Sequence, residues 1–321
     1  MKSYYAGLDI GGTSGRLKIC GREGTVLGEF TASGCSINTD GPKKSRLRYR
    51  ELVLPALDEL GLSAASCLGI CVAASGIDSP SDEHDCRAAF EEMGFLRDRL
   101  LVLNDCEVFL HMTDTPALVV ISGTGSVCFG RDRKGEIFRT GGWNHILSDE
   151  GSAFDFGLKI LKAVGEELSG RRKCPVLTPL IIKETGLDSL EKLDDFINAN
   201  LMEKSQIARL SLFGYEAAKA GDRRAMEIHE ECADALWGLI RDTAYKMDLI
   251  VPQETVSLWL WGSVLVKNNI IRDLVKEKVR GKFPEMKIDV PRTSALDTAL
   301  TAAMGLTDKI AVLKPPTVGA G

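Results

Sequence analysis

One pattern occurs twice in this sequence, and it limits the possible folds more than any other feature. Each copy has an apolar strand, a turn of glycine and threonine, and then two more strands. The predicted strands of the two copies are 4–10, 16–20 and 25–33, and 117–121, 126–131 and 136–139. A unit that recurs at this scale favours two similar domains within one chain.

The segments around these strands predict an α/β architecture. Strands at 67–74 and 100–103 alternate with helices at 42–60 and 81–93, which is typical of a sheet that binds its ligand at the strand ends. At 321 residues the chain is long enough for two cores. We therefore predict domains at 1–116 and 117–321, with the last helix able to pack back on the first domain.

Composition excludes several classes of function. The net charge is −5, so no basic face for nucleic acid is indicated. No apolar run approaches the roughly 20 residues of a membrane helix, and the start of the chain lacks the form of a signal peptide. The nine cysteines form no Cys-x-x-Cys pair. These features predict a cytoplasmic protein with reduced thiols and neither a nucleic-acid nor a membrane partner.

The two glycine turns are candidate phosphate sites. They run Gly11-Gly12-Thr13-Ser14-Gly15 and Gly123-Thr124-Gly125-Ser126. Each joins two strands, whereas a P-loop or a Rossmann turn opens a helix. Backbone amides and hydroxyls in such a hairpin can face a phosphate, and Asp9 could stand near a metal-bound water. A plain glycine turn is the alternative interpretation.

Asp105 is the candidate general base. It follows Asn104 at the tip of a predicted strand and lies between the two turns in sequence. Phosphoryl transfer to a hydroxyl requires held phosphates, a magnesium ion and a carboxylate that accepts the proton. The alternative is that Asp105 only caps the helix after it.

Four motifs together resemble the N-acetylglucosamine kinases. They are Asp9–Thr13, Asn104-Asp105, Ile121–Ser126 and Gly141–Ser152. These kinases belong to the BadF/BadG-type ATPase branch of the sugar kinase, heat-shock protein and actin superfamily. The resemblance implies an α/β fold of two actin-like ATPase lobes of the ribonuclease H-like type, with a ligand cleft between them. It also implies a homodimer.

The resemblance implies ATP, Mg²⁺ and an amino sugar as ligands, with Asp105 deprotonating the sugar 6-hydroxyl. The implied ATP-binding residues are Asp9, Gly11, Gly12, Thr13, Gly123, Thr124, Gly125, Ala218, Gly262, Ser263 and Val264. Asp9 would also hold Mg²⁺ through water. The implied sugar-binding residues are Asn38, Ser75, Asp105, Gly142, Trp143, Asn144 and Asp149.

The sugar is N-acetylglucosamine, N-acetylmuramic acid or both in this interpretation, and a glucosamine kinase stays open. Asn144 departs from the glycine that sugar kinases often have there, which leaves the shape of the sugar pocket open.

A related alternative is an ATPase activator of a CoA-ester dehydratase or reductase. Such activators hold an iron–sulfur cluster through paired cysteines. No pair here has the expected close spacing, and Cys67 and Cys71 fall within a predicted buried strand. A non-catalytic actin-like binding module is the third alternative.

Overall fold

The protein is described from a computed structural model that covers residues 2–202, 204–249 and 255–313. The chain forms two compact units. Unit 1 comprises Met1–Asp114 and Arg292–Gly321, and unit 2 comprises Thr115–Pro291. The C-terminal helix therefore belongs to unit 1, together with the N-terminal sheet.

Unit 1 is built on a five-stranded sheet in the order β3-β2-β1-β4-β5. The strands β1, β2 and β3 are antiparallel neighbours, and β4 and β5 continue the sheet parallel to β1. The elements are β1 Tyr4–Ile10, β2 Ser14–Gly21, β3 Val26–Ser33, α1 Ile37–Asp40, α2 Pro42–Leu60, β4 Cys67–Ala74, α3 Pro80–Glu92, β5 Leu100–Asn104 and, at the C-terminal end, α12 Ala295–Leu313.

Helices cover both faces of this sheet. The apolar sides of α2 and α3 pack on one face around Tyr49 and Phe90, which are buried. Helix α12 packs on β1 and β4 from the other face, and Gly7 permits this close approach. A Cβ atom added at Gly7 would lie 2.3 Å from the backbone nitrogen of Leu300. A side chain at this position would therefore push the helix off the sheet.

Unit 2 has a five-stranded sheet in the order β10-β9-β6-β7-β8. Its elements are β6 Ala117–Ser122, β7 Ser126–Arg131, β8 Ile137–Gly141, α4 Ala153–Leu168, α5 Leu177–Thr185, α6 Leu190–Asn200, α7 Lys204–Arg209, α8 Ser211–Lys219, α9 Arg223–Lys246, β9 Ser257–Trp261, α10 Ser263–Lys267, α11 Asn269–Lys282 and β10 Lys287–Asp289. The long helix α9 is capped at its N-terminus by Asp222, whose side chain accepts a hydrogen bond from the Ala225 amide.

The two sheets have the same topology, which confirms the repeat in the sequence. Strands β6, β7 and β8 pair as β1, β2 and β3 do, and β9 and β10 extend the sheet in parallel as β4 and β5 do. Between β3 and α2 the chain forms the short helix α1, whose turn is closed by the Asp40 amide donating to the Ser36 carbonyl at 2.8 Å. Among the described residues, no helix has the length and apolar content to cross a membrane.

Candidate active site

The carboxyl ends of three parallel strands form one edge of unit 1. Ile10, Ala74 and Asn104 are register partners across β1, β4 and β5. The next residues continue the pairing, because the Ser75 amide donates to the Ile10 carbonyl at 2.7 Å and the Asp105 amide donates to the Ala74 carbonyl at 3.2 Å. The first glycine turn, Ser75 and Asp105 are thus brought to the same edge.

A polar network joins the loops at this edge. The Asn38 amide nitrogen donates to one Asp78 carboxylate oxygen at 2.7 Å, and the Asn104 amide nitrogen donates to the other at 3.2 Å. The Ser36 hydroxyl donates to the Asn38 side-chain oxygen at 2.7 Å. Asn38 is therefore fixed beside the predicted sugar residues. Asp78, which the motifs did not assign, is the shared acceptor that holds it.

Asp105 is half-buried, and its pKa is raised to about 6. Burial is the main cause, and the negative charges of Asp9 and Asp78 raise the pKa further. Hydrogen bonds from Cys106 oppose the shift. A carboxylate with a pKa near 6 is ionised at neutral pH and is still a stronger base than an ordinary aspartate. The Cys106 amide donates to the Asn104 side-chain oxygen at 3.0 Å. The short helix that follows, Glu107–Met112, has Cys106 at its N-cap position and no side-chain cap.

The first glycine turn is open on its outer side. Gly12 and Thr13 are exposed, and a Cβ atom added at Gly12 would meet no atom within 4 Å. Asp9 lies at the end of β1 and forms an ion pair with Arg16 across the hairpin. The described residues contain no group of three or more His, Cys, Asp or Glu side chains placed to hold a metal. Mg²⁺ that is bound mainly by phosphates and waters needs only one or two carboxylates, and Asp9 fits that requirement.

Unit 2 contains a cavity of about 560 Å³. Thr124, Ser263 and Val264, which the sequence assigned to ATP, all line it although they lie far apart in the chain. The size is within the range of about 300–1,000 Å³ that is usual for small-molecule pockets. The walls are mostly apolar, with Phe156 and Tyr215 among them.

Gly262 brings two segments of this cavity together. It follows β9, has φ 88°, and precedes α10. An added Cβ atom would lie 2.3 Å from the Ser122 carbonyl oxygen at the end of β6. Only glycine fits, because both the backbone angle and the space exclude a side chain. Ser263 and Val264 are therefore held next to the turn at Gly123, Thr124 and Gly125.

Other cavity residues were missed from the sequence, and four predicted ATP residues of unit 2, Gly123, Gly125, Ala218 and Gly262, are not among the lining residues. Ala218 is buried in the core of unit 2 and is not among the lining residues. Tyr215 and Glu216 on the same helix line the cavity instead. The remaining polar lining residues that the motifs did not mark are Ser205, Arg209, Ser211, Lys267 and Asn268. Of these, only the N-cap position of Asn268 could have been predicted from the sequence, because asparagine is common directly before a helix.

A buried histidine supports this wall of the cavity. His229 is fully buried, and burial lowers its pKa. Its Nδ1 lies 2.6 Å from the Ala225 carbonyl and its Nε2 lies 3.0 Å from the Asn268 amide nitrogen. A neutral ring with the proton on Nδ1 satisfies both contacts. His229 is thus a packing residue, and it also fixes Asn268.

The loop after β8 carries the remaining predicted sugar residues. Gly142 has φ 70°, and Trp143 is 68% exposed with the Arg139 guanidinium 4.4 Å from its ring centroid. The Asn144 side-chain oxygen accepts from the Ile146 amide at 2.8 Å. Asparagine at 144 therefore closes a turn in this loop, which gives the departure from glycine a structural role.

Asp149 ends this loop and is 4% exposed. One carboxylate oxygen accepts from the Ser126 amide at 3.0 Å, and the other lies 3.2 Å from the Lys204 ammonium. Two further bonds tie the same segment to the hairpin. The Ser126 hydroxyl donates to the Glu150 carbonyl at 2.7 Å, and the Ser122 hydroxyl donates to the Gly151 carbonyl at 2.8 Å. These hydrogen bonds therefore fix the second glycine turn to the segment Asp149–Gly151.

The repeated strand order and the helices of each unit define an α/β fold of the actin-like ATPase and sugar kinase type. The family can be stated more narrowly. The model of the BadF/BadG/BcrA/BcrD ATPase family matches residues 6–305, and the chain belongs to this family.

Two relatives and two solved structures illustrate the similarity. The chain is 30% identical to an N-acetylmuramic acid/N-acetylglucosamine kinase of Clostridium acetobutylicum, over 89% of this chain and 93% of the relative. It is 25% identical to an N-acetyl-D-glucosamine kinase of Dictyostelium discoideum, over 95% and 96%. A Chromobacterium violaceum structure, provisionally described as an N-acetylglucosamine kinase, has TM-score 0.71 at 22% identity, covering 94% of this chain and 99% of that one. A ROK hexokinase from Thermus thermophilus has TM-score 0.54 at 12% identity, covering 96% and 99%.

Proposed function

We propose that this protein is an ATP-dependent kinase that phosphorylates the 6-hydroxyl of an N-acetylated amino sugar. The substrate is N-acetylglucosamine, N-acetylmuramic acid or both. Two relatives that align with nearly the whole chain are named as kinases of these sugars. The single observation that carries the proposal is the place of Asp105, half-buried beside Ser75 and the first glycine turn with a raised pKa.

In the proposed reaction the Asp105 carboxylate accepts the proton of the sugar 6-hydroxyl. The hydroxyl oxygen forms a bond to the γ-phosphorus of ATP while the bond from that phosphorus to the bridging oxygen breaks, and ADP leaves. A positioned base of this kind contributes about 10²–10⁴-fold to the rate. The raised pKa fits this task, because the proton is held strongly enough once it has been transferred.

Within unit 1 the proposed sugar contacts are Asn38 and Ser75, and within unit 2 they are Gly142, Trp143, Asn144 and Asp149. Asn38 is already oriented by Asp78 and Ser36, which lowers the cost of ordering it on binding. Asp149 has Ser126 and Lys204 as partners, and its two oxygens offer further acceptor sites. The contact between Asp149 and the sugar stays a prediction.

The nucleotide is proposed to bind in the cavity of unit 2. Ser263, Val264 and the apolar walls would receive the adenosine, and the phosphates would run toward Gly123, Thr124 and Gly125. Within unit 1, Thr13, Gly11 and Gly12 stay predicted phosphate contacts. Asp9 would hold Mg²⁺ through a water molecule, and that ion would neutralise charge on the phosphates. Ala218 is buried and does not line this cavity, so its contact with ATP stays a prediction.

The activator alternative finds no support in the cysteines. Eight of the nine cysteine side chains are buried, and only Cys106 is partly exposed. Burial raises the pKa of several of these thiols, Cys71 and Cys128 among them, which opposes the thiolate form that an iron–sulfur cluster requires. A glucosamine kinase differs from the proposal only in the acetyl group and is separated from it by experiment.

The test is ADP formation from ATP and Mg²⁺ with a panel of sugars. N-acetylglucosamine and N-acetylmuramic acid should stimulate ADP formation strongly, and 6-deoxy-N-acetylglucosamine should not. Stimulation by glucosamine alone would reassign the substrate. ATP hydrolysis that no sugar changes would reject the kinase. The homodimer and the cytoplasmic location implied by the sequence also stay predictions, and light scattering of the purified protein tests the first.

A further inference from the structure

Asp149 has an unusual backbone for an aspartate. Its φ is 78°, and only one other non-glycine residue among those described, Asp248, has a positive φ. The left-handed region is unfavourable for residues with a Cβ atom, so surrounding contacts must hold it. Asp149 is also almost fully buried. Burying a charge costs free energy unless the charge is paired, so the contacts of the Asp149 carboxylate must offset that cost.

The carboxylate of Asp149 lies directly against the second glycine turn. A Cβ atom added at Gly125 would be 2.8 Å from one carboxylate oxygen and 2.9 Å from the other. The Ser126 amide donates to the first of these oxygens. This contact holds the hairpin, but it places a full negative charge beside the backbone that is proposed to receive phosphates.

Two negative groups this close repel each other strongly in a partly buried site, because the effective dielectric constant there is far below that of water. Lys204 is the counter-charge. Its ammonium lies 3.2 Å from the second Asp149 oxygen, and the lysine side chain is 35% exposed while that of Asp149 is 6% exposed. Lys204 opens α7, the helix that supplies Ser205 and Arg209 to the wall of the cavity that Thr124 also lines.

We infer that Lys204 is a positioning residue for the polyphosphate of the nucleotide. It neutralises Asp149, so that the carboxylate can hold the hairpin without repelling phosphate, and it fixes the start of α7 to the same hairpin. This inference rests on the proposed binding of ATP in unit 2. It predicts that loss of the Lys204 charge weakens binding in proportion to the charge of the ligand.

The test is titration calorimetry of ATP, ADP and adenosine with full-length variants. Lys204→Met should weaken ATP binding about tenfold or more and ADP binding less, while adenosine binding should stay within about twofold. Lys204→Arg should retain ATP affinity, because the charge is kept. The matched control is Lys192→Met, which removes a lysine that pairs with Asp188 at 2.7 Å on an exposed helix of the same unit. That control should leave all three affinities unchanged.

A second variant separates charge from packing. Asp149→Asn together with Lys204→Met removes both charges, and it should recover much of the ATP affinity lost in Lys204→Met alone. Equal losses for ATP and adenosine, or no recovery in the double variant, would assign Lys204 a purely structural role and overturn the inference. Unchanged ATP affinity in Lys204→Met would also overturn it. Absence of ATP binding by the unmodified protein would instead reject the proposed function.

Discussion

The two sheets share one strand order but differ in the residues that come directly after their matching strands. In unit 1, β4 is followed by Ser75, and the edge beside it is polar and titratable. In unit 2, β9 is followed by Gly262, whose backbone packs against the end of β6 with no room for a side chain. The same topology therefore supports an edge of acids and amides in one unit and a mostly apolar cavity in the other.

The glycine turns differ in the same way. The turn at Gly12 and Thr13 is exposed, and the ion pair of Asp9 with Arg16 joins the two strands that lead into it. The turn at Thr124 is held from behind by Asp149 and the segment after it. We conclude that the repeat supplies two similar scaffolds, and we propose that the residues after the strands divide the work. Unit 1 would carry the acid–base chemistry and unit 2 the nucleotide site.

The largest effect should come from removing the proposed base. Asp105→Asn should lower kcat by about 10²–10⁴-fold, with the affinity for ATP within about twofold of the unmodified protein. Steady-state kinetics and calorimetry measure the two quantities. Asp98→Asn, at an exposed aspartate shortly before β5, is the matched control and should change neither. An Asp105→Asn variant with ordinary turnover would remove the base from unit 1.

The same variant should also be informative about stability. Because the Asp105 pKa is raised in the folded state, ionising this carboxylate destabilises the fold. The free energy of unfolding should therefore decrease as the pH rises from the ordinary aspartate pKa of 3.8 to the raised pKa of about 6. Asn carries no charge, so Asp105→Asn should melt at the same temperature as the unmodified protein or higher at pH 7. A clear fall in Tm would show that the half-buried carboxylate is a structural group.

Gly262→Ala tests the close approach of β9 and β6 in unit 2. We expect a loss of about 3 kcal/mol in the free energy of unfolding, because the added Cβ atom meets the Ser122 carbonyl and requires φ 88°. Gly238→Ala, inside α9 with no atom within 4 Å of the new Cβ, should gain about 0.5–1 kcal/mol. Ser75→Ala, at the corresponding place in unit 1, should cost far less than Gly262→Ala. Denaturant titration of all three variants checks the order.

The pH dependence tests the edge of unit 1. Because Asp105 must be ionised to accept a proton, kcat/KM should fall about tenfold per pH unit below the Asp105 pKa, which is about 6. With an ordinary aspartate pKa the same fall would begin about two units lower. A profile that stays flat down to pH 5 would contradict the raised pKa.

Cys106→Ala should produce the smallest effect. Cys106 opposes the upward shift of the Asp105 pKa through hydrogen bonds to its carboxylate. Losing the thiol should therefore move the acidic limb of the kcat/KM profile to higher pH by a fraction of a unit, whereas Cys106→Ser should keep the limb near its original place. Cys86→Ala, at a buried cysteine on α3, should leave the limb unchanged.

Local patterns predicted the strands and helices well because each has a strong periodic or capping signal. Pro42 and Gly61 mark the ends of α2, and a short apolar run marks β1. The motifs also identified residues that unit 2 gathers around one cavity, such as Thr124 and Val264. What the sequence could not provide was the set of partners that lie far apart in the chain.

Three cases show this limit. Lys204 meets Asp149 only because α7 packs against α4, and no short pattern encodes that contact. Asp78 became an acceptor for two asparagines through the pairing of β4 with β5 and the position of α1. Ala218 was assigned from a motif, but the helix turns its neighbours Tyr215 and Glu216 toward the cavity. Helix rotation and long-range packing decide such details.

The most direct test of the proposed reaction is the chemical identity of the product formed from ATP, Mg²⁺ and N-acetylglucosamine, read by correlated phosphorus and proton NMR. We predict a phosphomonoester whose phosphorus couples to the two protons on carbon 6 of the sugar, formed in equal amount with ADP. Inorganic phosphate with unchanged sugar, or a phosphorus coupled to the anomeric proton, would contradict it.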